Sequence, residues 1–247
     1  MKKRGIPASG RREFLKAAGV AAALSALPLA GRFASAQGRK TKVGIIGSGN
    51  VGSALGRVWA KAGYEVMFSS RNLDSDRKLA AEVGANASAG TPQEAARFGE
   101  VLVFAVPYGA LPELGKSLGD AVKGKVVIDA SNPFPQRDGE IATRAREKGA
   151  GFVSAELLPG ARIVRAFNAV GAGRMASAHE EPGRIGMPIA SDDKRAIEVA
   201  SKMIRDIGFE PVLVGGLAMG KYLMPGTPLA GEHTPEEIRK IAGTLKP

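Results

Sequence analysis

The sequence predicts an α/β protein with a doubly wound, mostly parallel sheet and a short C-terminal extension. Short apolar runs alternate with helical patterns from about residue 42 to residue 214, as expected when strands and helices follow one another along the chain. The run over residues 101–106 is continuously apolar, which is typical of a strand buried on both faces of a parallel sheet. The 33 glycines and only 5% aromatic residues suit a sheet with many tight turns.

Composition excludes several classes of protein. With 44% hydrophobic residues over 247 positions, the chain can bury a sizeable core. The absence of cysteine excludes disulfides, thiolate metal sites and cysteine nucleophiles, and with only two histidines no metal site is predicted. Seven of the 35 basic residues and one of the 24 acidic residues lie in the first 36 positions, so the rest carries 28 basic and 23 acidic residues. That balance, without interleaved basic and aromatic residues, predicts no nucleic-acid partner.

Residues 1–36 are predicted to be an export signal. A basic start leads to Gly-Arg-Arg-Glu-Phe-Leu-Lys over residues 10–16, which resembles the twin-arginine signal of bacteria. The apolar run over residues 17–30 is shorter than the roughly 20 residues needed to span a bilayer, and residues 34–36 form a small-residue cleavage pattern ahead of Gln37. The sequence therefore predicts a protein that is periplasmic or otherwise exported by the twin-arginine route, with the twin-arginine machinery as a partner. The alternative is an uncleaved N-terminal anchor.

The first predicted strand, residues 42–46, ends in a glycine-rich turn that opens the first predicted helix. Gly47 permits a tight exit from the strand, Gly49 lets backbone N–H groups approach a pyrophosphate, and Gly52 lets the helix pack close to the strand. The helix N-terminus adds unpaired N–H groups and partial positive charge. This pattern predicts a dinucleotide site, and the alternative is a glycine-rich turn that binds nothing. The predicted cofactor-binding residues here are Gly47, Ser48, Gly49, Asn50, Val51 and Gly52.

The end of the second predicted strand, residues 65–69, favours NADP over NAD. Proteins that bind NAD place an acidic side chain on the ribose 2′-hydroxyl about 20 residues beyond the glycines. This chain has Ser69, Ser70 and Arg71 there instead. A carboxylate would repel a 2′-phosphate, whereas hydroxyls and a guanidinium would bind it through charge-assisted hydrogen bonds. The alternative is that Arg71 is a solvated surface charge.

The predicted strand over residues 101–106 contributes to the same edge of the sheet, because ligands of open α/β sheets bind beyond the carboxyl ends of the strands. It ends at Val106, Pro107 and Tyr108, which we include among the predicted cofactor-binding residues. Tyr108 is expected to pack on the nicotinamide or the adjoining ribose. The alternative is an ordinary aromatic residue at the rim of the sheet.

Two asparagines follow later strands at this edge. Asn132 comes after the predicted strand over residues 125–130, and Asn168 follows the one over residues 162–167. An asparagine side chain can both donate and accept hydrogen bonds, so both are predicted to contact the cofactor. The alternative for Asn132 is that it only shapes a turn before proline.

The rest of the chain completes the predicted domain. Strands are predicted over residues 185–190 and 210–214, and residues 174–184 are predicted to form a mobile loop. The dinucleotide-binding domain is predicted over residues 39–215. The remaining residues, 216–247, are too few for an independent second domain, which usually needs at least about 50.

From residue 41 to about residue 223, the chain resembles the NADP oxidoreductase family typified by F420H2:NADP oxidoreductase, and also the nucleotide domain of the STEAP metalloreductases. The stretches that carry the resemblance are residues 47–52, 69–72, 106–107, 128–133 and 164–168. The resemblance implies NADP held by residues 47–51 and 70–71, with its nicotinamide facing a flavin-like ring near residues 106–108, 132 and 168. The deazaflavin enzymes commonly have histidine where Asn168 stands, whereas the metalloreductase domain has asparagine. The second cofactor, F420 or FMN/FAD, therefore stays open.

The function expected from these observations is an exported oxidoreductase that transfers hydride between NADPH and a flavin or deazaflavin, a small-molecule redox acceptor. Direct hydride transfer between stacked rings needs positioning and exclusion of water more than an acid or base, so no side chain is assigned a catalytic role. The alternatives are a non-enzymatic NADP-binding protein and a dehydrogenase or imine reductase that acts on a small substrate. A homodimer is left open.

Overall fold

The computed structural model describes residues 40–246. The export signal predicted for residues 1–36 lies outside the described residues. Within residues 40–246, no helix is long and apolar enough to cross a membrane.

A single eight-stranded sheet forms the centre of the described chain. Its strands are β1 (Lys42–Ile46), β2 (Glu65–Ser69), β3 (Ala87–Ala89), β4 (Val101–Phe104), β5 (Val126–Asp129), β6 (Arg162–Arg165), β7 (Ile185–Ala190) and β8 (Phe209–Gly215). Their order across the sheet is β3-β2-β1-β4-β5-β6-β7-β8. All neighbouring strands are parallel except β6 and β7, which meet through one antiparallel pair, Arg165 opposite Ala190. The reversal of order at β1 confirms the predicted doubly wound sheet.

Helices cover both faces of this sheet. They are α1 (Asn50–Lys61), α2 (Leu73–Val83), α3 (Pro92–Phe98), α4 (Leu111–Leu118), α5 (Pro135–Asp138), α6 (Glu140–Lys148), α7 (Ala150–Leu157), α8 (Ala172–Ser177), α9 (Lys194–Arg205) and α10 (Pro235–Ala242). Short 3₁₀ segments lie at Tyr108–Ala110, Gly119–Val122, Ala178–Glu180 and Leu217–Tyr222.

The core consists of two apolar layers because successive side chains of a strand point to opposite faces. Ile45 belongs to one layer and Ile46 to the other. In the first layer the ring of Trp59 from α1 meets Phe167 edge-on, with 5.8 Å between centroids, and Phe167 meets Phe209 in the same way at 5.9 Å. These contacts join the helix that follows the glycine turn to the far half of the sheet.

Residues 174–184 differ from the expected mobile loop. Most of this segment is helical, in α8 and the 3₁₀ turn Ala178–Glu180. Met175 and Ala178 are fully buried in the first core layer, so apolar contacts fix the segment in place. The sequence prediction failed because only a few apolar residues mark a helix this short.

The chain beyond β8 packs back onto the last two strands. Ile238 of α10 is buried in a third apolar cluster with Ala190 and Val212. The backbone N–H of Gly186 in β7 donates to the carbonyl of His233 at 2.8 Å. The C-terminal residues therefore cover β7 and β8 and extend the core to that end of the sheet.

Candidate functional site

The turn between β1 and α1 has the backbone geometry that a dinucleotide site requires. Gly47 adopts a φ of 99°, and a Cβ there would lie 2.5 Å from the carbonyl oxygen of Ala105. A Cβ on Gly52 would lie 1.9 Å from the carbonyl oxygen of Gly47. A Cβ on Gly49, in contrast, would meet no atom of the described chain within 4 Å. Gly47 and Gly52 are therefore required by the fold, whereas Gly49 leaves open space beside the backbone.

The N-terminus of α1 has no capping side chain. Gly49 is its N-cap residue, and no acidic residue lies in the first turn. The first N–H groups of a helix have no partner within the helix, and they carry partial positive charge. An anion such as a diphosphate would satisfy them. Four other helices of the described chain do have a side-chain N-cap, provided by Asn72, Thr91, Asp193 and Thr234.

The end of β2 is tied to this turn through the backbone. The N–H groups of Gly47 and Ser48 both donate to the carbonyl oxygen of Ser69, at 2.9 and 3.1 Å. The Ser69 side chain is fully buried, and its hydroxyl donates to the carbonyl of Ile45 at 2.7 Å. This corrects the expectation that the Ser69 hydroxyl binds the cofactor, because the hydroxyl stabilises the pairing of β1 with β2 instead.

Ser70 and Arg71 lie just beyond β2, at the edge where a dinucleotide ribose is expected. Ser70 is partly buried, and its Oγ accepts from the N–H of Asn72 at 3.0 Å. The same Oγ donates to the Asp76 carboxylate, with Oδ2 at 2.9 Å. Arg71 is exposed, and its side chain makes no hydrogen bond or ion pair within residues 40–246. Arg71 is therefore available to a phosphate in solution.

Asp76 is a residue of this region that the sequence analysis missed. It is 1% exposed and accepts hydrogen bonds from the hydroxyls of both Ser48 and Ser70. The available signal was an aspartate at the fourth position of α2, six residues after Ser70. That signal is weak, because acidic residues in the first turn of a helix are common for reasons of the helix dipole.

The side chain of Tyr108 is not exposed at the rim of the sheet. Its side chain is fully buried, and its hydroxyl donates to the carbonyl of Ala150 at 2.7 Å and lies 3.0 Å from Ser154 Oγ. Burial raises the pKa of the Tyr108 hydroxyl well above its usual value, so the hydroxyl keeps the proton that it donates. The expected contact of Tyr108 with nicotinamide is therefore wrong. Its neighbours remain at the rim: Val106 is partly buried, and Pro107 is exposed.

A buried ion pair lies beneath the carboxyl ends of β5 and β6. Arg165 and Asp129 are both almost inaccessible to water, with Nη1 and Oδ2 2.7 Å apart. The same Asp129 oxygen accepts from Ser154 Oγ at 2.7 Å. Gly151 and Gly220 make room for the arginine, since a Cβ on either would approach Arg165 Cδ to 3.2 and 2.8 Å. Sequence reasoning missed this pair, because the sequence shows one charged residue in each of two predicted strands but not the register that brings them together.

Asn132 and Asn168 are connected to this network. Asn168 Nδ2 donates to the backbone carbonyls of Asp129 and Ser131 at 3.2 and 3.3 Å, and Asn132 Nδ2 donates to the carbonyl of Asn168 at 2.9 Å. The Oδ1 atoms of both asparagines are buried and have no partner within residues 40–246. Buried acceptors without a partner cost free energy. A ligand with N–H donors, such as a nicotinamide carboxamide, fits these two oxygens chemically.

Phe167, the residue before Asn168, has a strained backbone. With a φ of 63°, Phe167 is the single non-glycine residue of the described chain in the left-handed region. Such a conformation costs of order 1–3 kcal/mol for a bulky residue and tends to occur at functional sites. The Phe167 ring is fixed between Trp59 and Phe209. Core packing of the ring therefore maintains the left-handed backbone of Phe167, which sets the direction of the chain at Asn168.

Comparisons with known proteins identify relatives of this chain. A family model described as NADP oxidoreductase, coenzyme F420-dependent, matches residues 42–133. The F420-dependent NADP reductase of Methanothermobacter thermautotrophicus is 31% identical over 205 residues, which covers 76% of this chain and 87% of that protein. Metalloreductase STEAP3 of Rattus norvegicus is 31% identical over 183 residues, covering 73% of this chain and 35% of that longer protein.

A solved structure shows the same architecture over most of the chain. A hypothetical protein from Sinorhizobium meliloti superposes with a TM-score of 0.69 at 28% identity, covering 80% of this chain and 97% of that one. The chain belongs to the family of coenzyme F420-dependent NADP oxidoreductases, and it is an oxidoreductase of that family.

Proposed function

We propose that this chain binds NADP(H) along the carboxyl edge of its sheet and transfers hydride between NADPH and a flavin or deazaflavin acceptor such as F420. The observation that carries the proposal is the uncapped N-terminus of α1 beside the open space at Gly49. Helices α4 to α8 of the described chain also lack a side-chain N-cap, but α1 is the helix that follows β1 through the turn with the Gly47-x-Gly49-x-x-Gly52 spacing. A diphosphate supplies the missing acceptors at α1.

The remaining parts of the cofactor have matching groups. The diphosphate would lie against residues 47–51, and the phosphorylated ribose would reach Arg71, whose guanidinium is exposed. The nicotinamide would lie near Val106, with its carboxamide facing the unpartnered oxygens of Asn132 and Asn168. The two amide groups are oriented by their Nδ2 hydrogen bonds.

The chemistry supplied by NADPH when bound is a hydride. The chain's part is to bind, orient and exclude water, since transfer between stacked rings depends on alignment. The second ring has an aromatic surface available: Phe134 is 37% exposed and follows Asn132 by two residues. Arg137 lies over the Phe134 ring, 5.0 Å from its centroid, and donates to the carbonyl of Asn132 at 2.9 Å.

The test is an acceptor screen with the purified chain. NADPH oxidation is followed by absorbance with F420, FMN, FAD and ferric chelates offered separately, and bound ligands are identified by mass spectrometry after native purification. Oxidation with F420 or a flavin is expected. Tight binding of NADPH without oxidation by any acceptor would contradict hydride transfer, and absence of binding would contradict the cofactor site itself.

We also propose that the chain is exported by the twin-arginine route. The support is the sequence of residues 1–36, with its paired arginines, short apolar run and small-residue cleavage pattern. Cell fractionation of the double variant Arg11→Lys, Arg12→Lys is expected to leave the protein in the cytoplasm, whereas the control Arg4→Lys is exported. Export of the double variant at the normal level would contradict the route.

A further inference from the structure

Asp76 connects the two segments that are expected to hold opposite parts of the cofactor. Ser48 belongs to the turn between β1 and α1, and Ser70 lies beyond β2. Both hydroxyls donate to the buried Asp76 carboxylate, which is 1% exposed. Ser48 is 28 residues and Ser70 six residues from Asp76 along the chain, and neither serine lies in α2. The carboxylate therefore joins two separate loops at the ribose end of the cleft.

These hydrogen bonds determine what the two serines can offer a ligand. A serine hydroxyl has one proton and two lone pairs, and a carboxylate only accepts. Both serine protons are therefore directed to Asp76. Ser70 Oγ in addition accepts from the N–H of Asn72 at 3.0 Å. Each serine Oγ keeps a lone pair that can accept a hydrogen bond from a ribose hydroxyl. A phosphate needs donors, and these two side chains do not supply them.

We infer that Asp76 is a specificity-determining residue that restricts the preference for the 2′-phosphate by withholding the protons of Ser48 and Ser70. This inference rests on the proposed binding of NADP(H) in this cleft. The guanidinium of Arg71 is then the side-chain group that favours NADPH, while the carboxylate of Asp76 adds negative charge on the same side. The site therefore binds NADPH with only a moderate advantage and also accepts NADH.

Asp76→Asn is the informative substitution. A carboxamide accepts one hydroxyl proton through Oδ1 and donates its own N–H to the other hydroxyl oxygen, so one serine proton becomes free to face the ligand. The change also removes one negative charge. The affinity for NADPH relative to NADH is expected to rise on the order of tenfold, the scale of one hydrogen bond to a charged group.

The matched control is Asp74→Asn. Asp74 lies on the same turn of α2 but is exposed and paired with Arg77, so this variant removes the same charge without releasing Ser48 or Ser70. For this variant, the ratio of the dissociation constants for NADH and NADPH is expected to stay within about twofold of the wild-type ratio, because an exposed ion pair contributes little energy. Dissociation constants are measured by calorimetry for NADPH, NADH, 2′,5′-ADP and 5′-ADP, with thermal unfolding recorded for each variant.

A purely structural role for Asp76 gives a different result. If Asp76 only holds the two loops together, Asp76→Asn weakens NADPH and NADH by the same factor, and that outcome overturns the inference. Ser70→Ala provides a second test should Asp76→Asn fold poorly. It is expected to weaken both cofactors alike, and a loss confined to NADPH and 2′,5′-ADP would show that the hydroxyl donates to the phosphate. A wild-type chain that binds neither cofactor overturns the proposed function itself.

Discussion

The two ends of the proposed cleft are built in opposite ways. At the turn between β1 and α1, the backbone provides the donors, and no side chain of the described protein caps them. At the carboxyl ends of β5 and β6, side chains provide the polar groups, and most of those groups bind one another. The first end lacks a partner until an anion arrives. At the second end the side chains hold one another in place, while the Oδ1 atoms of Asn132 and Asn168 and the Nε and Nη2 atoms of Arg165 have no partner within residues 40–246.

This difference predicts how substitutions at each end behave. Changes at the backbone-built end should affect ligand binding, with stability altered only where a side chain would collide with the backbone. Changes in the network under β5 and β6 should first reduce stability, since they leave buried polar groups without partners. The four predictions below test this distinction, starting with the largest effect.

Arg165→Met is expected to lower the free energy of unfolding by about 3–5 kcal/mol, because it leaves the Asp129 carboxylate buried without its positive partner. The control is Arg162→Met at the other end of the same strand. Arg162 pairs with Asp193 at the surface, where 43% of its side chain is exposed, so a loss of about 0–1 kcal/mol is expected. Urea denaturation measures both values. Similar losses for the two variants would show that burial does not decide how much an ion pair of this protein contributes to stability.

Gly52→Ala and Gly49→Ala separate the two roles of glycine in the first turn. A Cβ at Gly52 collides with the carbonyl oxygen of Gly47, and an overpacked site of this kind costs about 1–3 kcal/mol of stability. A Cβ at Gly49 meets nothing in the described chain, so Gly49→Ala should fold normally and lose affinity for NADPH. Thermal unfolding and NADPH titration measure the two effects. Normal NADPH affinity in Gly49→Ala would mean that no phosphate approaches this backbone.

Arg71→Ala is expected to weaken NADPH binding by about 1–3 kcal/mol, the scale of a hydrogen bond between charged groups. NADH binding should hardly change, because NADH lacks the 2′-phosphate. Stability should also be unaffected, since Arg71 is exposed and its side chain has no partner within residues 40–246. Calorimetric titration of both cofactors decides the matter. Equal losses for the two cofactors would show that Arg71 does not contact the 2′-phosphate.

Tyr108→Phe should have the smallest effect. The hydroxyl donates to the carbonyl of Ala150, so its removal should cost about 0.5–1.5 kcal/mol of stability, with no change in NADPH affinity. Chemical denaturation and NADPH titration of the same sample provide both numbers. Weaker NADPH binding at unchanged stability would show that Tyr108 contacts the cofactor and would contradict the distinction between the two ends.

The backbone-built end could be predicted from the sequence because its constraints are local. Glycine spacing, an apolar strand and a helical pattern are enough to specify the turn at residues 47–52. The direction of a rim side chain is a different problem, because it depends on which neighbours pack against it. Ser69 and Tyr108 turn inward to bond with Ile45 and α7, and nothing in their own sequence neighbourhood indicates this.

Two further differences have similar causes. β3 was not predicted, because Ala87–Ala89 is only three residues long and contains no strong strand former, so its pairing with β2 decides its structure. The ion pair of Arg165 with Asp129 depends on the register of β5 and β6, which a single strand pattern does not contain. Asn132 and Asn168 both follow the carboxyl ends of their strands, but the hydrogen bond from Asn132 Nδ2 to the carbonyl of Asn168 becomes visible only when the two strand ends are side by side.

The way α10 covers β7 limits how this protein can be shortened or recombined. Gly186 lies directly under Ile238, since a Cβ there would be 2.4 Å from Ile238 Cδ1. A fragment that stops after Gly215 would expose Ala190 and Val212 to water and invite aggregation. Chimeras that borrow this nucleotide-binding scaffold should therefore join their fusion partner after α10.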